Sequence, residues 1–173
     1  MQKDIYKQLI RHFNEALLVD NNAGVLARVS SLFMQRGFNI DSLTVSSTDD
    51  PKISRITVTT TGDDRTFSQI IKQTSKLTEA RLVFPIEPFV SLLRELLLVK
   101  FSTEKTDEER LKGIIEDYGA KIIDVSNGCF VAELTGDPTL IDDFLDAVKP
   151  YQMLEMCRTG ATALERGKVS YDI

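Results

Sequence analysis

The sequence is short of the residues that most enzymes use for nucleophilic or metal-dependent chemistry. It contains one histidine, His12, two cysteines, Cys129 and Cys157, and no tryptophan. His12 completes no metal site with the cysteines at any recognised spacing. Because both cysteines lie in apolar, strand-like stretches, we expect buried free thiols rather than a disulfide or a reactive thiol. The sequence therefore predicts no catalytic residue and no metal site.

Basic residues and long hydrophobic runs are also scarce. The chain has 21 Lys and Arg against 26 Asp and Glu, which argues against a nucleic-acid partner, since phosphate binding needs clustered positive charge. RNA binding would also need exposed aromatic residues on a central strand, and residues 53–60 contain none. The longest apolar block, residues 96–99, is too short to span a bilayer. Since residues 1–13 do not resemble a signal peptide, we expect a cytoplasmic protein without membrane contact.

The first half of the chain has the pattern of a βαββαβ unit. Apolar residues at strand spacing predict strands over residues 14–19, 40–45, 53–60 and 81–86. Helical spacing predicts a helix over residues 25–36, with Val25, Leu26, Val29, Leu32 and Phe33 facing inward, and a left-handed Gly37 at its end. Asp63-Asp64 begins a second helix.

The second half repeats this order. Strands are predicted over residues 95–101, 121–125, 129–134 and 153–158, and helices begin at Asp107 and Asp137. Asn127-Gly128 is typical of a two-residue hairpin turn. Thr135-Gly136-Asp137 repeats Thr61-Gly62-Asp63 at the same place in the unit. We therefore predict an α+β protein of two ferredoxin-like βαββαβ units, one over residues 1–86 with a short N-terminal extension and one over residues 87–173.

The strongest candidate for a binding site surrounds the first predicted helix. Asn21 and Gly24 precede it, Val25 and Leu26 begin it, and Asn39 follows it. Free backbone N–H groups at a helix start can bind a small anion, and no glycine occurs in the corresponding segment 102–106. An ordinary helix cap also explains Asn21 and Gly24. Because a helix of this length spans roughly 18 Å, Gly24 and Asn39 can meet only between two copies, for instance at a two-fold axis.

These residues also carry a resemblance to a known family. Residues 21–45 and the following TDDPKISRITV resemble the amino-acid-binding ACT domain of the small regulatory subunit of acetolactate synthase (acetohydroxyacid synthase). In the second half, RELLLVKF at 94–101, KIIDVS at 121–126, ELTG at 133–136 and RTG…ALERG at 158–167 resemble that subunit's C-terminal domain. The resemblance covers everything after residue 12.

The resemblance implies a non-catalytic subunit in branched-chain amino-acid biosynthesis. Such a subunit activates a separate catalytic large subunit and makes it sensitive to feedback inhibition by valine. Thiamine diphosphate, Mg and FAD are expected on the catalytic subunit, and no cofactor on this chain. The family binds its effector at the interface of an ACT homodimer. Asn21, Gly24, Val25 and Leu26 match the loop and helix start on one side, and Asn39 matches the residue supplied by the other copy.

Three alternatives stay open at the level of the sequence. Another ACT-type amino-acid-sensing adaptor, without this catalytic partner, would share the first unit. A purely structural adaptor would lack ligand binding altogether. A small phosphatase on the same architecture would need an anion-binding arginine in the first turn, and residues 20–24 contain none.

Overall fold

The computed structural model describes residues 11–87, 89–104 and 107–168. Most of the predicted N-terminal extension therefore lies outside the described residues, as do Lys105 and Thr106 of the segment that replaces the glycine turn in the second half. The elements, in chain order, are β1 (Arg11–Asp20), α1 (Val25–Gln35), β2 (Ser42–Ser47), β3 (Ile53–Gly62), α2 (Asp64–Thr74), β4 (Ala80–Ile86), β5 (Ser91–Ser102), α3 (Glu108–Asp117), β6 (Lys121–Ser126), β7 (Cys129–Gly136), α4 (Pro138–Val148), β8 (Met153–Arg158) and β9 (Thr162–Glu165).

Local signals set the helix ends as predicted. Asp63, Asp107 and Asp137 precede α2, α3 and α4, and each side chain accepts a hydrogen bond from the backbone N–H three residues later. Gly37 and Gly119 follow α1 and α3 with φ of 69° and 70°, the left-handed conformation that closes a helix. None of the helices in the described part of the chain is long and apolar enough to cross a membrane.

The first unit is a four-stranded antiparallel sheet with the strand order β2-β3-β1-β4. Leu17 of β1 lies opposite Ile56 of β3, and both side chains point to the same face because strand residues alternate. Helices α1 and α2 pack on that face. The buried cluster there consists of Leu17, Val19, Val25, Val29, Phe33, Ile56, Val58 and Ile70.

The second unit repeats this arrangement, with the strand order β6-β7-β5-β8. The short strand β9, which was not predicted, pairs with β5 and belongs to the compact unit that contains the first sheet. Asn127 and Gly128 both have positive φ, as the predicted hairpin turn requires. The core under α3 and α4 consists of Leu97, Val99, Phe101, Leu111, Ile115, Ala120, Phe130, Ala132, Leu134, Ile141, Phe144 and Val148. The predicted fold class, two ferredoxin-like units, is confirmed.

The two compact units are not two successive stretches of chain. One contains the described residues up to Leu92 together with residues 160–168, and the other is Leu93–Thr159. The predicted domain boundary after residue 86 stays a prediction.

The segment that returns to the first unit packs closely on β2. A side chain at Gly160 would place its Cβ 2.7 Å from the Thr44 hydroxyl oxygen and 3.2 Å from the Leu43 backbone nitrogen. Only glycine allows this approach without displacing the strand. Ala161 and Ala163 are both buried. Residues 160–163 are therefore a structural part of the first unit.

The cysteine prediction was correct in one respect and wrong in another. Both thiols are free. Cys129 is half-buried, and its Sγ donates a hydrogen bond to the Ser126 carbonyl oxygen. Cys157, however, is exposed. It lies on β8, an outer strand of its sheet, and an apolar sequence does not reveal whether a strand is central or at an edge.

Candidate functional site

The turn between β1 and α1 leaves the start of α1 open. Gly24 is the residue before the helix and has φ 89° and ψ −9°, a left-handed conformation that side-chain-bearing residues rarely adopt. Apart from Gly24 and its two chain neighbours, no heavy atom of the described structure lies within 4 Å of the position that a Cβ on Gly24 would occupy. No side chain caps α1, whereas an aspartate caps each of the other three described helices. The Val25 N–H donates to the Asn22 carbonyl oxygen at 3.4 Å, and no side chain caps the N–H groups that follow it.

Asn21 does not cap the helix, so the helix-cap interpretation of this residue is wrong. Its backbone nitrogen donates to the Lys52 carbonyl oxygen at 2.7 Å, and its side-chain Nδ2 donates to the Pro51 carbonyl oxygen at 2.9 Å. Asn21 thus fastens the glycine turn to the turn between β2 and β3. Its amide oxygen stays available as an acceptor beside the helix start.

Two ion pairs neutralise Asp20 and Glu79 next to this turn. Asp20 accepts a hydrogen bond from Arg81 Nε at 2.6 Å, and Glu79 forms an ion pair with Arg28 of α1. The Asp20 backbone nitrogen also donates to the Glu79 carbonyl oxygen at 3.0 Å. Since each carboxylate has a guanidinium partner, the positive end of the helix dipole keeps its attraction for an incoming anion.

The two predicted residues at the start of α1 have different environments. Val25 is buried in the core, as expected. Leu26 was predicted to face inward, but its side chain is 42 % exposed. Successive helix residues differ by about 100° in direction, so a residue next to Val25 falls on the outer flank of the helix. Leu26 is therefore available to a ligand or to a second copy.

Asn39 lies at the other end of α1, within a chain of polar contacts that was not predicted. Its Nδ2 donates to Asp41 Oδ1 at 2.6 Å, and the Thr61 hydroxyl donates to Asp41 Oδ2 at 2.6 Å. His12 Nδ1 lies 2.9 Å from the Thr61 hydroxyl oxygen and 3.8 Å from Asp41 Oδ2. The residues come from three separate parts of the chain, so only the two-residue spacing of Asn39 and Asp41 was a usable signal in the sequence.

One copy of the chain does not bring the predicted site residues together. Gly24 and Asn39 lie beyond opposite ends of α1, which at about 1.5 Å per residue is roughly 16 Å long. The described residues also contain no group of three or more His, Cys, Asp or Glu side chains that could hold a metal ion. The structure thus offers two separate polar ends, one at Gly24 and one at Asn39.

Comparison with protein families matches both halves of the chain. Residues 16–80 match the family model described as the AHAS small subunit-like ACT domain. Residues 94–167 match the model described as the small subunit of acetolactate synthase. The two matches include the glycine turn, Asn39 and the segment that returns to β2.

Individual relatives agree with these models along nearly the whole chain. The chain is 41 % identical to a probable acetolactate synthase small subunit from Archaeoglobus fulgidus over 88 % of this chain and 95 % of the relative. It is 37 % identical to the acetolactate synthase isozyme 3 small subunit of Escherichia coli over 88 % of this chain and 94 % of the relative. The crystal structure of an acetolactate synthase small subunit from Thermotoga maritima superposes with a TM-score of 0.82 at 37 % identity, covering 92 % and 99 % of the two chains.

Proposed function

Because this chain belongs to the family of acetolactate synthase small subunits, we propose that it is the regulatory subunit of such an enzyme in branched-chain amino-acid biosynthesis. It has no catalytic role of its own. It activates a cytoplasmic, thiamine-diphosphate-dependent large subunit, which carries Mg and FAD, and it makes that subunit sensitive to valine. The amino acid binds to the first domain, residues 1–86.

The observation that carries this proposal is the open start of α1 at Gly24, inside the segment that matches the ACT model. The uncapped N–H groups and the positive helix end stabilise a carboxylate by about 0.3–1 kcal/mol, and by more where it is partly buried. The Asn21 amide oxygen, held beside the turn by the bond to Pro51, can accept a hydrogen bond from the ligand ammonium.

The side chain of the effector needs an apolar surface. Leu26 supplies one, because it is exposed next to the helix start while Val25 anchors the turn in the core. Burial of a branched side chain contributes roughly 1.5–3 kcal/mol. Together with the polar contacts, this suits a metabolite sensor of moderate affinity. Valine is one methylene smaller than leucine or isoleucine, which accounts for about 1–3 kcal/mol of discrimination.

Asn39 reaches the ligand only from a second copy, so the proposal includes a homodimer through the first domain. The outer flank of α1 is suited to such a contact. Leu26 is exposed there, Met34 follows two helical turns later with 73 % exposure, and Ser30 lies between them. Strand β2 is an outer strand of its sheet and carries the exposed Val45. Two copies that pair through β2 and α1 would place Asn39 of one copy near Gly24 of the other.

Light scattering of the full chain at micromolar concentration is expected to give the mass of a dimer or a larger assembly. Met34→Asp introduces a charge on the proposed contact and should shift the mass toward the monomer. Exposed Met153 on β8 provides the matched control, because Met153→Asp adds the same charge to an exposed methionine that does not belong to α1. A monomeric parent, with and without valine, would contradict the shared site.

The chain alone is expected to have no acetolactate synthase activity, because the proposed role requires no catalytic residue here. Mixed with the catalytic subunit, it should raise turnover and confer inhibition by valine. The check is pyruvate condensation measured with each protein alone and with both, across a valine titration. Condensation by this chain alone would overturn the assignment. Activation without any amino-acid effect would favour the structural adaptor, and amino-acid binding without activation would favour a sensor with another partner.

A further inference from the structure

The polar contacts around Asn39 differ in character from those around Gly24. At the Gly24 end, both nearby carboxylates pair with arginines. At the Asn39 end, Asp41 has no lysine or arginine partner among the described residues, and its charged contacts there are limited to exposed His12 at 3.8 Å. One end of the site therefore favours an anion and the other favours a cation.

The contact between Asn39 and Asp41 also fixes which atom of the Asn39 amide is presented. Nδ2 donates to Asp41 Oδ1 at 2.6 Å, so the amide oxygen points to the other side. Rotating the amide by half a turn would bring its oxygen against the carboxylate, which is repulsive. Asn39 is thus held with an acceptor outward, and an acceptor binds an ammonium group but not a carbonyl or a carboxylate.

Asp41 is itself held from two further directions. Its backbone nitrogen donates to the Thr59 carbonyl oxygen at 2.9 Å, and the Thr61 hydroxyl donates to its Oδ2 at 2.6 Å. Both partners belong to β3 or its end, so the carboxylate is fastened to the sheet rather than to the loop that carries Asn39. Through Asp41, the exposed Asn39 side chain is therefore held in one orientation relative to the sheet.

We propose that Asp41 is a positioning residue that orients the Asn39 amide and makes the effector site selective for ligands that carry an ammonium group. The inference rests on the proposed function, since it assigns Asn39 to the shared site. The site binds α-amino acids and rejects the 2-oxo acids that have the same carboxylate and the same branched side chain. A sensor of an amino-acid end product needs this distinction, because carboxylate and side chain are common to both classes.

Isothermal titration of the full chain with L-valine and with 3-methyl-2-oxobutanoate tests the proposal without a catalytic readout. The parent should bind L-valine at least tenfold more tightly than the oxo acid. Asp41→Ala removes the acceptor for Asn39 Nδ2 and should weaken L-valine binding tenfold or more while leaving binding of the oxo acid within twofold, so that the ratio between the two affinities collapses. Thr61→Val keeps the charge of Asp41 but removes the hydrogen bond from Thr61 to its carboxylate. This variant should partially lower the ratio of the affinities for L-valine and the oxo acid. Asp143→Ala, at an exposed position on α4, removes the same side-chain group elsewhere and should change the affinity for neither ligand.

The outcomes distinguish a failure of the proposed function from a failure of the role assigned to Asp41. If the parent binds no L-valine, the proposed function fails, and the assignment of Asp41 fails with it. If the parent binds L-valine and Asp41→Ala keeps both affinity and ratio within twofold, the proposed function stands and the role of Asp41 is overturned. Equal losses for both ligands would also overturn it, since a merely structural defect does not distinguish an ammonium from a carbonyl.

Discussion

Gly24→Asp, in the full chain mixed with its catalytic partner, is expected to remove inhibition by valine while activation is kept. The new carboxylate would occupy the open space beside the helix start and meet the ligand carboxylate. Two such charges about 4 Å apart repel by about 1–4 kcal/mol at effective dielectrics between water and a protein surface. The concentration of valine for half inhibition should therefore rise at least tenfold.

The left-handed conformation of Gly24 makes a matched control necessary. At φ 89°, any side chain adds backbone strain of about 1 kcal/mol, although Asp and Asn tolerate it better than other residues. Gly24→Asn has the same strain and almost the same volume but no charge, so it should retain inhibition at raised valine concentrations. If the two variants lose inhibition equally, volume and not charge is responsible. If Gly24→Asp stays as sensitive as the parent, the ligand does not bind at this turn.

Glu15→Gln is expected to stabilise the protein above neutral pH. Glu15 lies on the helix-covered face of β1 with 1 % exposure, and no hydrogen bond within the described structure reaches its Oε1. Burial raises the pKa of Glu15 from 4.5 to about 7, although a hydrogen bond with Thr74 opposes this effect. Thr74 Oγ1 lies 3.3 Å from Glu15 Oε2 and 2.9 Å from the Ile70 carbonyl oxygen. When the Thr74 hydroxyl donates to the Ile70 carbonyl oxygen, its oxygen can accept a hydrogen bond from the neutral carboxyl group of Glu15.

The sign of the pH dependence follows from the raised pKa. The folded protein holds the proton that the unfolded chain releases, so the stabilising contribution is complete below pH 4.5 and is lost as the pH rises to about 7. The difference between these pKa values corresponds to about 3 kcal/mol. Glu15→Gln cannot ionise and should exceed the parent by about 2–3 kcal/mol at pH 8, with little difference near pH 4.5.

Urea unfolding at pH 4.5, 6 and 8, at one protein concentration, measures this effect. Glu109→Gln on α3 removes an exposed carboxylate and controls for the change in net charge. Parallel loss of stability in the parent and in Glu15→Gln between pH 4.5 and 8 would show that Glu15 ionises in the folded protein at no cost. The inference that burial raises the pKa of Glu15 would then be wrong.

The sequence by itself determined the order of the strands β1 to β8 and the four helices, the helix starts and the family, but not the short strand β9. Asp63, Asp107 and Asp137 cap helices through bonds to N–H groups three residues away, and Asn127-Gly128 forms a turn within two residues. Such interactions act between near neighbours, so their pattern is visible in the chain. The inward position of Glu15 could also be predicted, since it lies two residues from both Phe13 and Leu17 and therefore shares their face of β1.

Only the tertiary structure decided which distant groups meet. Asn21 binds the carbonyl groups of Pro51 and Lys52 instead of capping its own helix, and Asp41 binds Thr61 twenty residues away. Gly160 packs against β2 through a close backbone approach that only a glycine permits. A glycine in the sequence does not by itself indicate which strand it will approach. Strand and loop residues separated by tens of positions come together through sheet register and packing, and neither leaves a periodic trace at the positions that make contact.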